Sequence, residues 1–390
     1  MAYVHRILDL SKRLARKSQF LFGPRMTGKT TWMKNELEGV RFHFNLLEGG
    51  LYQRLLADPS YLPQVLKREG IGEGIVVIDE IQKLPSLLDD VHNLIESTGI
   101  HFLLTGSSAR KLKASGVNLL GGRAGWTEMY PFVYPEIKDV GYSLERIFAS
   151  GLVPSNYLSN DPDSDLSDYI SLYLSQEIQQ EGLVRNLPSF SRFLEVAALS
   201  NTEMINLTNL SRDVGVSSAG ISGWFQILYD TLVGFEVPSW QKKGKRKTYA
   251  TSKLYFFDVG IVRKLLHLSR VEENTTEYGK FFESYIASEL RAFLGYTFGY
   301  RDSDRRLCYW RTLSNFEVDF IVDDKIAIET KTTKHYKNTD LKGLRALKEE
   351  GICSRYILVC MEELPLMSED GIEILPYKTF LEELWGRKYL

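Results

Sequence analysis

Two stretches of this chain carry residue types at spacings that do chemistry. In the first, Gly23-Pro24-Arg25-Met26-Thr27-Gly28-Lys29-Thr30-Thr31, the residues satisfy GxxxxGK[ST] without a mismatch. Glycines stand where backbone amides must close on phosphate oxygens, Lys29 reaches the outer phosphates of a nucleotide, and the Thr30 hydroxyl holds magnesium. The second half of such a site is Asp79-Glu80, at the end of "GIVVIDE". Asp79 binds magnesium through water, and Glu80 is placed as general base for the attacking water. The loop alone implies a bound phosphate. With the dipeptide it implies ATP and Mg2+ held by Gly23 to Thr31 and Asp79, and hydrolysis carried by Lys29 and Glu80.

Other polar groups cluster around these. "HFLLTGSS" ends in Thr105, Ser107 and Ser108. They either orient water as a sensor, with Ser107 the catalytic candidate, or cap the helix that follows. Arg123, beside two glycines, reads as an arginine finger completing a neighbouring copy's site. Arg25 and Arg110 compete for that role, and surface ion pairs are the alternative for all three.

The second stretch is "NFEVDFIVDDKIAIETKTT". If "FEVDFIV" and "KIAIETK" pair as strands joined at Asp323-Asp324, alternate residues share a face, so Asp319 meets Glu329 and Lys331 with Glu317 in line. Two acids would then hold magnesium while Lys331 positions the water nucleophile. Glu283, in the helix "FFESYIASEL", resembles the additional helical acid of nuclease-like folds, which gives the candidate metal set Glu283, Asp319 and Glu329. The alternative is a salt-bridged structural cluster, since buried acids are costly unless paired or metal-bound. Arg301, Arg305, Arg306 and Arg311 either line an approach for nucleic acid or balance these acids.

The elements that position these groups can be read from periodicity. From Ser18 to about Phe132, short apolar runs ("QFLF", "RFHFNL", "GIVVID", "HFLLTG", "TEMYPF") alternate with helical patterns, which predicts βα units and a parallel sheet with helices on both faces. Between about Gly151 and Asp165 the composition turns to Ser, Asp, Asn and Pro, a linker signal. A helix capped by Asp165 or Ser167 follows, and helices dominate to about Asp230. Within that region "LTNLSRDVGVSSAGISGWFQIL" reads as helix, turn at Gly215, and helix. "KKGKRK" then fits the tip of a hairpin, so the middle predicts a winged helix. Lys242, Lys243, Lys245, Arg246 and Lys247 form a compact phosphate-binding element if they face DNA, and a solvated turn if the module only packs domains together.

Composition bounds the rest. At 390 residues the chain exceeds the usual size of a single core. Three domains are expected: 1–150 a P-loop ATPase, 151–270 a helical linker and winged helix, and 271–390 an α/β nuclease-like fold. A net charge of -2 excludes a global field pulling the molecule to nucleic acid or membrane. The cysteines, Cys308, Cys353 and Cys360, suit neither a disulfide framework nor a zinc site. No window approaches the ~18 uncharged apolar residues of a membrane span, so no membrane partner and a cytoplasmic location are expected.

The series "GPRMTGKTT", "VVIDEIQKLP", "LLTGSSARKL" and "LLGGRAGWTEMYPF", continued by "KLYFFDVGIV", "GKFFESYIASEL", "CYWRTLSNFEVDFIV" and "IAIETK", resembles the AAA+-type ATPases of bacteria and archaea that carry a C-terminal DUF4143 domain. The resemblance spans nearly the whole chain. It implies an ATPase core, an α/β restriction-endonuclease-like tail of PD-(D/E)xK type with Val318 where that motif has proline, and a homo-oligomer. The leading functional expectation is an ATP-driven machine or switch acting on nucleic acid. A nucleotide-controlled module with a dead nuclease fold, and a protein-remodelling or signalling ATPase, are its rivals.

Overall fold

The computed structural model describes residues 3–389 apart from 59, 109, 111, 113–119, 180–183, 242, 243 and 300–305. The chain divides into two compact units: Met1–Pro131 with Asp230–Leu232, and Phe132–Tyr229 with Val233–Leu390.

The first unit is built on five strands, β1 (Ser18–Phe22), β2 (Val40–Asn45), β3 (Glu73–Asp79), β4 (Gly99–Gly106) and β5 (Ala124–Glu128). They form one sheet in the order β2-β3-β4-β1-β5, every pairing parallel. Parallel strands need covered faces, and the continuous apolar runs of β1, β3 and β4 are buried accordingly. One core gathers Phe20, Phe22, Val76, Ile78, Phe102 and Leu104, with Trp126 packed at 4.6 Å from the Phe22 ring. The order has a consequence for chemistry: β4 lies between the strand that leads into the glycine loop and the strand that ends in Asp79. Its polar C-terminal end therefore neighbours both. The fifth strand is "AGWTE", beginning at Ala124, three residues before the apolar run "TEMYPF" at Thr127. Alternation is the better guide here, because Pro131 lacks the N–H that a strand would need.

The second unit begins with helices. The predicted helix capped at Asp165 or Ser167 instead starts at Pro162, with Asp161 as N-cap accepting from the Ser164 amide at 3.2 Å. Proline at the first helical position, with its φ preset, outcompetes the later caps. Helices Leu207–Val214 and Ser218–Asp230 are joined through Gly215 at φ 76, a left-handed turn that favours glycine. Two antiparallel strands follow, β6 (Gly234–Val237) and β7 (Lys253–Phe256). After the 23-residue helix Thr276–Phe298 come β8 (Leu307–Arg311), β9 (Glu317–Val322), β10 (Ile326–Thr330), β11 (Arg355–Cys360), β12 (Leu366–Met367) and β13 (Glu373–Pro376). They make a mixed sheet in the order β12-β13-β11-β10-β9-β8. β9 and β10 pair antiparallel across Asp323 and Asp324, both at positive φ (53 and 54), the geometry of a tight hairpin turn. Among the described residues no helix is long and apolar enough to cross a membrane.

Glu289, on the buried side of helix Thr276–Phe298, gives a first prediction. Its carboxyl accepts from the Tyr134 amide at 2.8 Å and from Trp385 Nε1 at 2.7 Å, and burial pushes its pKa up to about 8. A folded-state value above the unfolded one means the native state holds an extra proton. The stability this group contributes is present below the ordinary glutamate range and is lost as pH rises through about 8. The unfolding free energy from urea titration should fall from pH 6 to about pH 8 by on the order of 1 kcal/mol per pH unit, and Glu289→Gln should remove that share of the slope.

Candidate nucleotide site and C-terminal acid cluster

The glycine loop leaves the buried end of β1 and closes on the helix Lys29–Glu36. A Cβ on Gly23 would lie 2.4 Å from the Met129 carbonyl oxygen, so this entry to the loop accepts only glycine. Gly28 caps the helix at φ 92. The Lys29 ammonium is folded back onto the loop, donating to the Gly23 and Pro24 carbonyls at 2.7 and 3.0 Å, and Thr27 Oγ1 donates to Pro24 O at 2.8 Å. An unforeseen residue braces this arrangement. Arg6 is buried and donates to Thr27 O at 2.6 Å and to Tyr130 O at 2.7 Å, tying the N-terminal segment to the loop.

Asp79, buried at the end of β3, accepts from Thr30 Oγ1 at 3.2 Å through one oxygen and from Thr105 Oγ1 through the other. Glu80 follows in the left-handed region, φ 64 and ψ 43, an uncommon conformation for a residue with a Cβ. Burial raises its pKa; the Lys29 charge opposes that rise, Asp79 adds to it, and Arg25 and the Gln82 hydrogen bond also pull it down. Gln82 Nε2 donates to Glu80 Oε2 and, at 3.3 Å, to Ser107 Oγ. Thr105 is thus the group on Asp79, while Ser107 is linked to Glu80 only through Gln82. Ser108 Oγ accepts from the Arg110 amide at 3.1 Å and donates to Asp230 O at 2.9 Å. Gln82 was missed in the sequence because Ser107, which it joins to Glu80, comes from another strand end. The one signal for it was a polar side chain just beyond Glu80 in an otherwise apolar "DEIQKL".

The donor set fits a nucleoside triphosphate with magnesium. It combines a helix N-terminus, an ammonium over the loop, and a hydroxyl 3.2 Å from a buried carboxylate. The candidate fingers are less distinctive. Arg123 pairs with Glu96, both partly exposed, and Arg110 pairs with Asp230 at 3.1 Å.

In the second unit the expected acids do come together, but around a residue that sequence reasoning overlooked. Lys253, at the start of β7, is buried, and its Nζ lies 2.7 Å from Glu317 Oε1, 3.0 Å from Glu283 Oε1 and 3.9 Å from Asp319 Oδ1. Tyr255 OH donates to the same Glu283 oxygen at 2.6 Å. Asp319 Oδ2 accepts from the Thr330 amide and hydroxyl, each at 2.8 Å, and Lys331 Nζ lies 2.5 Å from Glu329 Oε1. Burial alone would lower the Lys253 pKa, yet Glu283, with Asp319 and Glu317, holds it well above the ordinary value. Burial lifts Glu283 to about 7 and Glu329 to about 8. Among the described residues no group of His, Cys, Asp or Glu stands open to hold a metal ion. Glu283 and Asp319 therefore do not fit the expected magnesium, because an ammonium fills the space between them and Glu317; Glu329 pairs with Lys331, and its other oxygen is buried without a hydrogen-bond partner among the described residues.

The basic hairpin is also occupied. Arg246 binds Glu349 and, at 2.7 Å, Glu350, and donates to Ala346 O at 2.9 Å, while Lys245 bonds to Glu350 and to Glu349 O. Both cations sit on the C-terminal end of helix Lys342–Glu350, where the helix dipole favours them. Lys247 is exposed; Lys242 and Lys243, like Arg301 and Arg305, lie outside the described residues. Arg306 and Arg311 balance acids, pairing with Asp323 at 2.6 Å and Glu317 at 3.1 Å.

Comparison with known proteins places these sites in recognised domains. Residues 15–138 match an AAA domain, 142–272 a domain of unknown function, DUF8612, and 278–380 a domain of unknown function, DUF4143. Over 311 residues, 78% of this chain and 67% of theirs, the sequence is 25% identical to an uncharacterized protein of Mycobacterium bovis and to one of Mycobacterium tuberculosis. The solved structure of the Aeropyrum pernix ORC1 protein in complex with DNA aligns with 68% of this chain and 93% of that one, at 11% identity and a TM-score of 0.27. The glycine loop and Asp79-Glu80 fall in the first match and Glu283, Asp319 and Glu329 in the third; the chain is an AAA-domain protein with a C-terminal DUF4143 domain.

Proposed function

We propose that this protein is an ATP-hydrolysing switch whose first unit performs the chemistry and whose second unit carries its target-binding surfaces. The observation that carries the reading is the pair of linked contacts Thr30–Asp79–Thr105 and Glu80–Gln82–Ser107, which gather a magnesium-type pair and a candidate base at neighbouring strand ends. The loop amides and Lys29 hold the phosphates of ATP, and Thr30 with Asp79 holds magnesium. When bound, the metal neutralises charge on the phosphates. Glu80 takes the proton from water, and Gln82 positions Glu80.

This predicts a signature for Gln82. Its hydrogen bond favours the ionised form of Glu80, so its loss raises the carboxyl's pKa further. In Gln82→Ala the acid limb of the kcat–pH profile should move to higher pH with ATP affinity unchanged. An unmoved limb would remove Gln82 from the machinery.

For the second unit, helices Leu207–Val214 and Ser218–Asp230 followed by β6 and β7 support a winged-helix reading, and the β9–β10 hairpin with Lys331 supports a nuclease-like fold. The Lys253 cluster and the occupied Lys245 and Arg246 favour docking over cutting. We propose a nucleic-acid or protein target bound by an inactive nuclease-like fold, and a homo-oligomer in which Arg123 leaves its partly exposed pair with Glu96 at little cost. Phosphate release measured with and without duplex DNA tests the target class. Stimulation assigns a nucleic-acid target, whereas indifference to every DNA form assigns a protein-remodelling or signalling role.

A further inference from the structure

We infer that Lys253 is the resident cation of the C-terminal acid cluster, seated where a divalent ion would sit and keeping divalent metal out. The geometry is that of a cation site. Three carboxylates from two elements, Glu283 on the helix Thr276–Phe298 and Glu317 and Asp319 on β9, converge on one point, and the Lys253 Nζ occupies it at 3.0, 2.7 and 3.9 Å respectively. The lysine side chain is only 4% exposed, so this is not a solvated surface bridge. A buried ammonium with no anionic partner would be expelled or neutralised, and the acids without a cation would be equally costly. Each requires the other.

Several other acceptors of the cluster are committed, while the buried Glu329 Oε2 has no hydrogen-bond partner among the described residues, so an ion at the shared point competes with Lys253 for its oxygens. Asp319 Oδ2 is held by Thr330, Glu317 Oε2 lies 3.1 Å from Arg311 NH1, and Glu329 Oε1 is bound by Lys331. A hard divalent cation needs several oxygens at close range, and the shared point is filled by a tethered positive charge. The lysine enters from β7, on the strand pair that precedes the helix carrying Glu283. Its ammonium thus fastens that strand to the mixed sheet through charge, as a metal would have done. Removing the ammonium opens the point to an ion.

Mn2+ binding to nucleotide-free protein, counted by electron paramagnetic resonance, tests this. Thr30→Ala serves as background so that the glycine loop contributes no metal ligand. With Lys253 intact, Asp319→Asn should leave Mn2+ binding unchanged, because no ion sits there. Lys253→Met should gain one Mn2+ per chain with affinity raised at least ~10-fold, and Asp319→Asn should abolish that gain. The inference is overturned if the Lys253-intact protein binds one Mn2+ that Asp319→Asn removes, or if folded Lys253→Met binds no more than its parent. Should Lys253→Met fail to fold, the Asp319→Asn comparison decides alone. The outcome is independent of ATP hydrolysis, which phosphate release by the wild type reports separately.

Discussion

Glu80→Gln should bind ATP as the wild type does and release phosphate about 10²- to 10⁴-fold more slowly, the usual contribution of a positioned general base. The substitution is close to isosteric. Its amide still meets Gln82 and fills the same partly buried space, so the fold and the loop are undisturbed. What it removes is the carboxylate that takes the proton. The wild type should also show an acid limb above the ordinary carboxylate range, because burial raises the Glu80 pKa, and activity should fall as pH drops through that raised value. Equilibrium binding of a fluorescent ATP analogue together with a phosphate-release assay measures both halves. Equal loss of binding and turnover would instead mark Glu80 as a structural support of the loop.

The second large effect belongs to Lys253. Replacing it with Met removes one partner of a buried charge cluster and strands Glu283, Glu317 and Asp319 without their shared cation. Breaking a buried pair in this way costs about 3–5 kcal/mol. Urea unfolding of the second unit should shift accordingly, and millimolar Mn2+ should restore part of the loss in Lys253→Met but none in the wild type. A shift typical of a surface bridge, about 0–1 kcal/mol, would mean that the lysine is dispensable and the acids are satisfied elsewhere.

The parts of this molecule that were legible in its sequence are those written locally. The glycine loop, the apolar strand ending in Asp79-Glu80 and the β9–β10 hairpin turning at Asp323-Asp324 each depend on a few consecutive residues whose types dictate backbone and chemistry together. What escaped was settled between distant segments. Gln82 matters only because β4 lies beside β3 and brings Ser107 within reach. Lys253 matters only because folding carries β7 to Glu283 and β9, and nothing near "TSKLYFF" announces three acids. A lysine opening a strand that is buried along its whole length was the available clue, since such a charge must find a partner. The basic run around Arg246 reads as free for the complementary reason: Arg246 finds its partners, Glu349 and Glu350, only at the end of a later helix.

Magnesium-dependent phosphate release by the wild type beside Lys29→Ala, at saturating ATP, tests the central claim most directly. Lys29 donates to Gly23 O and Pro24 O, both within the loop, so its loss should leave the sheet intact and remove the charge meant for the phosphates. Wild-type turnover should require magnesium and fall to background in Lys29→Ala. Turnover that survives in Lys29→Ala, or a wild type that releases no phosphate with or without any target, would contradict the central claim.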